Sequence, residues 1–233
     1  MMTAFVPSLI YGAAIALMSF AIWRALIASD LAFWALSLSC GFVFIAPMLA
    51  MGLYEAGRRI SHGERPTLAD IFLVRSALRA DVFYLGLALL LIYLMWGRIA
   101  QVVYGLSTYR LHTRVDEFVA FSTQTSEGLT MLVTGAIVGG VIAFFTFAIS
   151  VVSAPMLLDQ RTNVFEAMFT SIRAVAKNFA PMLLWAALIT LALLACAATS
   201  WLGLTVIFPW LGLASWRAYL DIVPVHTGGE APR

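Results

Sequence analysis

The chain has 233 residues, of which 62% are hydrophobic and 11% charged, and its formal net charge is +2. Ordinary soluble domains carry about 25% charged residues, so the surplus of apolar side chains is expected to face lipid. The small net charge offers no general electrostatic attraction to nucleic acid, and we expect no nucleic-acid partner.

Six apolar runs are long enough to cross a hydrocarbon core of about 30 Å. We predict an all-α fold, a polytopic membrane helix bundle of about six transmembrane helices joined by amphipathic interfacial connectors. A single transmembrane domain is expected over residues 1–223, followed by a disordered tail at 224–233. The predicted spans are 3–27, 31–54, 82–100, 129–152, 181–200 and 202–219.

The polar segment after the second span carries most of the candidate contact residues. Residues 55–68 are expected to form a loop and residues 69–79 a short amphipathic helix, for which Thr67 and Asp70 offer an N-cap. Glu55 precedes two arginines at helical i, i+3 and i, i+4 spacing, which favours an interfacial ion pair; the alternative is docking of a lipid headgroup or a partner. The candidate residues for such contacts are Glu55, Arg58, Arg59, Arg65, Arg75 and Arg79.

A weak internal repeat accompanies the prolines of the spans. Ala46-Pro47-Met48-Leu49 recurs as Ala154-Pro155-Met156-Leu157, and Pro209 interrupts the sixth predicted span. Two related halves would explain the repeat, as in many transporters. The alternative, which we favour, is that each proline simply kinks a membrane helix.

Small residues in the fourth span form the pattern Gly135-x-x-x-Gly139, followed by Gly140. This spacing allows close helix approach in lipid, although chance explains it equally well in a glycine-rich run. Residues 101–128 form a longer polar segment to which the pattern assigns no role. A second amphipathic connector is expected at residues 155–178.

The distribution of basic residues predicts the orientation, because cytoplasmic loops carry an excess of Lys and Arg. With both termini inside, the cytoplasmic segments hold Arg58, Arg59, Arg65, Arg75, Arg79, Arg161, Arg173, Lys177, Arg217 and Arg233. The opposite side holds only Arg24, Arg98, Arg110 and Arg114. We therefore predict a multi-pass membrane protein with cytoplasmic N and C termini.

The sequence offers no constellation for catalysis, and we expect no enzyme activity. The histidines, His62, His112 and His226, all lie in polar segments, so no haem ligand is expected within the spans. Cys40 and Cys196 lie in apolar runs and are read as inert. We expect no metal and no cofactor of its own, but we do expect bound phospholipids.

Three stretches resemble conserved blocks of a bacterial family of multi-pass membrane proteins of unknown function. APMLAMGLYEAGRRISHGERPTLADI is similar to that family's GPFLALGLYE-SRR-ERGE-PSLADV signature, FAISVVSAPMLLDQRTNVFEAMFTSIRAVAKN to its second block, and WLGLASWRAYLDIV to its closing GHATWHAYRDLV. Leu213 and Arg217 replace histidines of the closing motif, and Leu220 replaces its arginine, which argues against a metal or haem role there. Some members are labelled cytochrome c oxidase components, so the resemblance implies a respiratory-chain association.

We weigh three hypotheses. The first is a non-catalytic accessory or assembly subunit of a membrane energy-conversion complex, with membrane lipids and other integral subunits, including haem-bearing ones, as partners. The second is a transporter or channel for a small solute or lipid, with Pro47, Pro155 and Pro209 beside a cavity. The third is a lipid-binding protein that uses the arginines of its amphipathic connectors.

Overall fold

The structure is a computed structural model that describes residues 2–29, 31–110, 112 and 114–223, with the side chains of 2–5, 32, 33, 36, 75 and 115 left undescribed. The tail predicted at 224–233 lies outside these residues. Within the described ranges every regular element is helical, which confirms the all-α fold. The helices are α1 (Met2–Ala28), α2 (Ala32–Leu49), α3 (Met51–Ser61), α4 (Leu68–Phe72), α5 (Ala80–Ser107), α6 (Val115–Gln124), α7 (Ser126–Ser150), α8 (Ser153–Asp159), α9 (Val164–Lys177), α10 (Phe179–Ala198) and α11 (Leu204–Ile222), with a 3-10 turn at Arg75–Leu78.

Five stretches of the described chain have the length and apolar composition of membrane spans. They are Val6–Ala28, Ser37–Ser61, Ala80–Ser107, Ser126–Asp159 and Phe179–Ala198. The sixth predicted span forms a helix, α11, but it does not meet the same criterion. α11 carries Arg217 and Asp221, and much of its surface packs against α1 and α3 rather than facing outward.

The long helices alternate in direction, and the contacts between them define two ends of the bundle. Tyr11 near the start of α1 contacts Leu49 at the end of α2, and Tyr219 near the end of α11 contacts Asp159 at the end of α8. α3, α4, the 3-10 turn, α8 and α9 therefore lie at one end, here called the connector end. α6 lies at the opposite end, within the segment 101–128, where the sequence predicted no helix.

Two of the long passes break near the connector end. The second predicted span, 31–54, is divided at Ala50 into α2 and α3, and α3 continues through Arg58 and Arg59 to Ser61, where a loop was predicted. The fourth pass breaks at residues 151–152 between α7 and α8. The breaks are not equivalent, because the first follows Pro47 and the second precedes Pro155.

Pro209 does not interrupt α11, contrary to the prediction, because the helix runs unbroken from Leu204 to Ile222. Pro209 has no N–H to donate to the carbonyl of Thr205, which leaves that carbonyl uncovered on the surface of α11. Gly12 of α1 packs against α11 at this point. A Cβ at Gly12 would lie 2.4 Å from the Thr205 oxygen and 2.6 Å from the Pro209 ring. The glycine thus lets the first and last helices approach closely.

The predicted amphipathic helix over 69–79 is only partly present. Thr67 and Asp70 form the expected capping box and begin α4, which ends at Phe72. Leu73 and Val74 leave the helical conformation before the separate 3-10 turn. A tertiary contact explains the difference, because Arg79 is extended toward α8 and donates to its last carbonyls.

The second connector matches its prediction more closely. α9 buries Val164, Ala167, Ser171, Ala174 and Val175 against the bundle. A second stripe of α9, with Phe165, Phe169 and Ile172, is exposed, and a third carries Glu166, Arg173 and Lys177. One protein face, one apolar face and one charged face are typical of a helix lying in a membrane interface.

Candidate functional site

A buried carboxylate lies at the centre of the connector end. Glu55 is 5% exposed, on the second turn of α3. Arg58 donates to both of its oxygens, from Nε at 2.8 Å and from Nη2 at 2.7 Å, and Arg59 donates from Nε at 2.9 Å. The ion pair predicted from the i, i+3 and i, i+4 spacing is therefore present. These charge-assisted hydrogen bonds compensate the buried carboxylate and fix both arginines in place.

Arg59 links this carboxylate to the loop beyond α3. Its Nη1 lies 3.4 Å from an oxygen of Glu64, and its Nη2 lies 3.0 Å from an oxygen of Asp70. Each nitrogen of this guanidinium group thus faces a carboxylate. The hydroxyl and backbone N–H of Thr67, and then the charge of Arg59, hold the pKa of Asp70 below its ordinary value.

A second set of polar contacts joins α8 to α11 and α5. The Tyr219 hydroxyl donates to Asp159 at 2.9 Å and accepts from the Gln160 amide at 3.0 Å. Arg79 donates from Nη1 to the carbonyls of Leu157, at 2.8 Å, and Gln160, at 2.9 Å. Cationic donors commonly satisfy the last carbonyls of a helix in this way. Arg79 therefore serves as the cap of α8.

Trp216 of α11 packs over α3 next to the Glu55 cluster. Its indole nitrogen donates to Ser61 Oγ at 3.1 Å, and its ring lies against Gly57. A Cβ on Gly57 would come within 2.6 Å of the indole, so only glycine leaves room for the ring. Sequence analysis missed both residues. The one sequence feature that could have indicated this contact is Gly57, a glycine between Glu55 and Arg58 in a run with helical spacing.

The other candidate contact residues do not join the cluster. Arg65 is exposed and has no ion-pair partner among the described residues. The side chain of Arg75 lies outside what the structure describes. Four of the six candidates make contacts within the protein, namely Glu55, Arg58, Arg59 and Arg79. Among the described side chains of this set, Arg65 is the one that is exposed and makes no ion pair.

The glycines and prolines singled out by the sequence are dispersed. A Cβ at Gly139 would lie 2.8 Å from the Trp96 ring of α5, whereas one at Gly135 or Gly140 would meet nothing within 4 Å. The predicted packing role of Gly135 and Gly140 is therefore wrong within this chain. Among the prolines, Pro47 borders a cavity between α2, α3, α7, α10 and α11, while Pro155 is buried in α8.

The described residues contain no group of three His, Cys, Asp or Glu side chains placed to hold a metal ion. Chemically, the connector end is a network in which arginines neutralise buried and half-buried carboxylates. Such a network can fix the relative positions of α3, α4, α8 and α11, and its exposed rim can contact lipid headgroups or a partner.

Comparison with known proteins gives a family and nothing more specific. No curated protein and no solved structure matches the chain. Residues 35–159, just over half of the chain, match a family described as predicted integral membrane proteins, DUF2189. The matched region runs from α2 through α8 and includes the Glu55 cluster and both proline-associated breaks. The chain therefore belongs to the DUF2189 family of predicted integral membrane proteins.

Proposed function

We propose that this protein is a non-catalytic accessory or assembly subunit of a membrane respiratory or energy-conversion complex, with cytochrome c oxidase as the first candidate. In this proposal it is a multi-pass protein of the bacterial inner membrane, with both termini and the connector end on the cytoplasmic side. It has no cofactor of its own and binds phospholipids and other integral membrane subunits, including haem-bearing ones.

The observation that carries the proposal is the outer face of α10. Met182 and Cys196 are the buried residues of this helix. Leu184, Leu188 and Leu191 are exposed and repeat at i, i+4 and i+7, the spacing of a helix–helix seam. A helix attached by one side, with a leucine seam on the other, suits lateral packing against another membrane subunit.

The chemistry of the connector end supports a structural role. Glu55 and Arg59 are committed to contacts within the chain, and Tyr219, Asp159 and Gln160 contact one another. These groups hold elements in position, as expected of a subunit that contributes shape rather than turnover. The sequence resemblance to proteins labelled as oxidase components names the first complex to test.

A crosslinking experiment in native membranes tests the proposal. A photo-crosslinking amino acid is placed at Leu188 on the α10 seam, with Leu91 on the exposed face of α5 as the matched control. After irradiation, the tagged chain is purified in mild detergent and its adducts are identified by mass spectrometry. We expect an oxidase subunit crosslinked from Leu188 and not from Leu91. A chain that purifies alone and crosslinks only to lipid at both positions would refute the accessory role.

The alternative function is a small-solute or lipid transporter. The cavity beside Pro47 favours it, but Pro155 and Pro209 do not line that cavity. The lining residues are mainly apolar, so a lipid-like molecule suits it better than a polar solute. Flux of a fluorescent lipid across vesicles containing the purified protein, abolished by filling the cavity, would favour this alternative over the accessory role.

A further inference from the structure

A cavity of about 90 Å³ lies between five helices in the half of the bundle nearer the connector end. Its walls are mostly apolar and come from α2, α3, α7, α10 and α11, with Val43, Pro47, Ala143, Ile189 and Phe208 among them. Three of the stretches with the composition of membrane spans contribute to it. The cavity therefore lies at a depth where hydrocarbon, and not water, surrounds the protein.

Two hydroxyl groups at this cavity have no hydrogen-bond partner in the part of the chain that the structure describes. Tyr54 is 5% exposed and Ser215 is 8% exposed, and both line the cavity. Neither hydroxyl has a hydrogen-bond partner among the described residues, whereas Ser150, which also lines the cavity, donates to the Thr146 carbonyl at 2.7 Å. An unpaired hydroxyl in an apolar environment is unfavourable, so the pair is suited to an oxygen acceptor supplied by a ligand.

The polar and apolar parts of the lining are separated along the bundle. Tyr54 lies on α3 and Ser215 near the end of α11, both at the connector end, while Val43 and Phe208 lie deeper. Tyr54 lies eleven residues beyond Val43, a separation that corresponds to about 16 Å of helix. The lining is thus polar toward the membrane surface and apolar toward the bilayer centre, which is the polarity of a lipid in the adjacent leaflet.

α10 forms one wall of the cavity through Ile189 and Leu193, and the same helix is otherwise largely exposed. The cavity is not fully enclosed, so part of a lipid molecule can enter it while the rest stays outside.

We propose that this cavity, with its volume of about 90 Å³, binds the ester carbonyl and the first few methylene groups of one acyl chain of a membrane glycerophospholipid, the carbonyl accepting hydrogen bonds from the hydroxyls of Tyr54 and Ser215. These methylene groups point toward Val43 and Phe208, and the headgroup stays toward the connector end. The site stands independently of the accessory-subunit role, because it uses the opposite side of α10 from the leucine seam.

The first test fills the cavity. Wild-type protein is reconstituted in vesicles of phosphatidylethanolamine and phosphatidylglycerol that contain a phosphatidylethanolamine with a diazirine on one acyl chain. Labelling is read residue by residue, and irradiation is expected to label the cavity-lining residues Ile189, Phe208 and Leu211 above the general lipid labelling of the exposed helix faces. Ala143→Phe places a ring in the cavity and should abolish this labelling. Ala187→Phe adds the same bulk on the exposed face of α10 and should leave it unchanged.

The second test removes the hydroxyls without changing the shape of the cavity. The double variant Tyr54→Phe, Ser215→Ala loses two hydrogen bonds to the ligand and should label about tenfold less at the same lipid concentration. Its thermal midpoint in lipid-free detergent should not fall, because neither hydroxyl has a partner to lose. Ser150→Ala, at a hydroxyl already paired with Thr146, is the matched control and should retain labelling.

Several results would overturn the proposal. Labelling that is equal in wild type, Ala143→Phe and the double variant would show only general lipid contact. Labelling of these residues by a diazirine fatty acid, but not by the phospholipid, would refute the ester carbonyl as the recognised group. If Ala143→Phe fails to fold, the double variant still decides, since undiminished labelling there contradicts the role of the two hydroxyls.

Discussion

The hydroxyl of Tyr11 on α1 donates a hydrogen bond to the carbonyl oxygen of Leu49, 2.6 Å away, at the break between α2 and α3. In an unbroken helix the Leu49 carbonyl would accept from the N–H of Leu53, but that N–H instead bonds to the carbonyl of Ala50. The tyrosine therefore satisfies a carbonyl that the break would leave unpaired at membrane depth.

Replacing Tyr11 by Phe should destabilise the protein by about 1–2 kcal/mol, because the Leu49 carbonyl loses its partner in an apolar environment. The measurement is the unfolding free energy in mild detergent. Tyr93→Phe is the matched control, since Tyr93 is a half-buried tyrosine whose hydroxyl has no hydrogen-bond partner among the described residues. An equal loss of stability in both variants would contradict this assignment.

Neutralising Glu55 should be more costly. Glu55→Gln leaves Arg58 and Arg59 without their buried carboxylate, and we expect a loss of about 2–3 kcal/mol, below the usual value for a buried pair because both arginines are partly exposed. Asp116→Asn, in the exposed pair with Arg114, should produce no measurable change. Thermal unfolding of both variants tests this, and similar midpoints for the two would refute a structural role of Glu55.

Substituting glycine should have opposite effects at two helical sites. Gly57→Ala forces a methyl group against the Trp216 indole and should destabilise by about 1–3 kcal/mol. Gly97→Ala on α5 meets nothing within 4 Å and should be neutral or stabilising, because alanine favours helix more than glycine. Chemical unfolding provides the comparison. Destabilisation at Gly97 and tolerance at Gly57 would reverse the packing inferred here.

The α4 capping box should make stability depend on acidic pH through Asp70. Its pKa is lowered in the folded state, chiefly by Thr67, so its contribution is complete above the ordinary pKa and is lost as pH falls through the folded value. Wild type should therefore lose stability in this acidic range more steeply than Asp70→Asn. Thr67→Ala should raise the Asp70 pKa toward its ordinary value, and NMR titration of the carboxyl measures this directly. An unchanged pKa would contradict the capping contact.

Several local features followed from residue spacing. Glu55, Arg58 and Arg59 pair as their helical spacing indicated, and Thr67 with Asp70 caps α4. These contacts span four residues or fewer, so helix geometry alone brings the groups together. The pairing of Trp216 with Gly57 could not be predicted in the same way, because the two residues are separated by most of the chain and meet only when α11 packs on α3.

The course of α11 and the packing of the glycines also depended on contacts that residue spacing does not reveal. Pro209 looked like an interruption, yet α11 continues through it because Gly12 of α1 fills the groove that the proline leaves. Gly135 and Gly140 had the spacing of a packing motif, but only Gly139 meets a neighbour. Spacing predicts which residues share a helical face, and it does not say which face another helix covers.

By itself, the sequence determined that this protein is a helical membrane protein, because hydrophobicity summed over about twenty residues decides insertion regardless of what lies beside each run. Only the tertiary structure decided where the helices break, which carbonyl Tyr11 and Arg79 satisfy, and that Tyr54 and Ser215 meet at one cavity. Those features depend on side chains from distant segments arriving at the same place, and local patterns carry no information about such meetings.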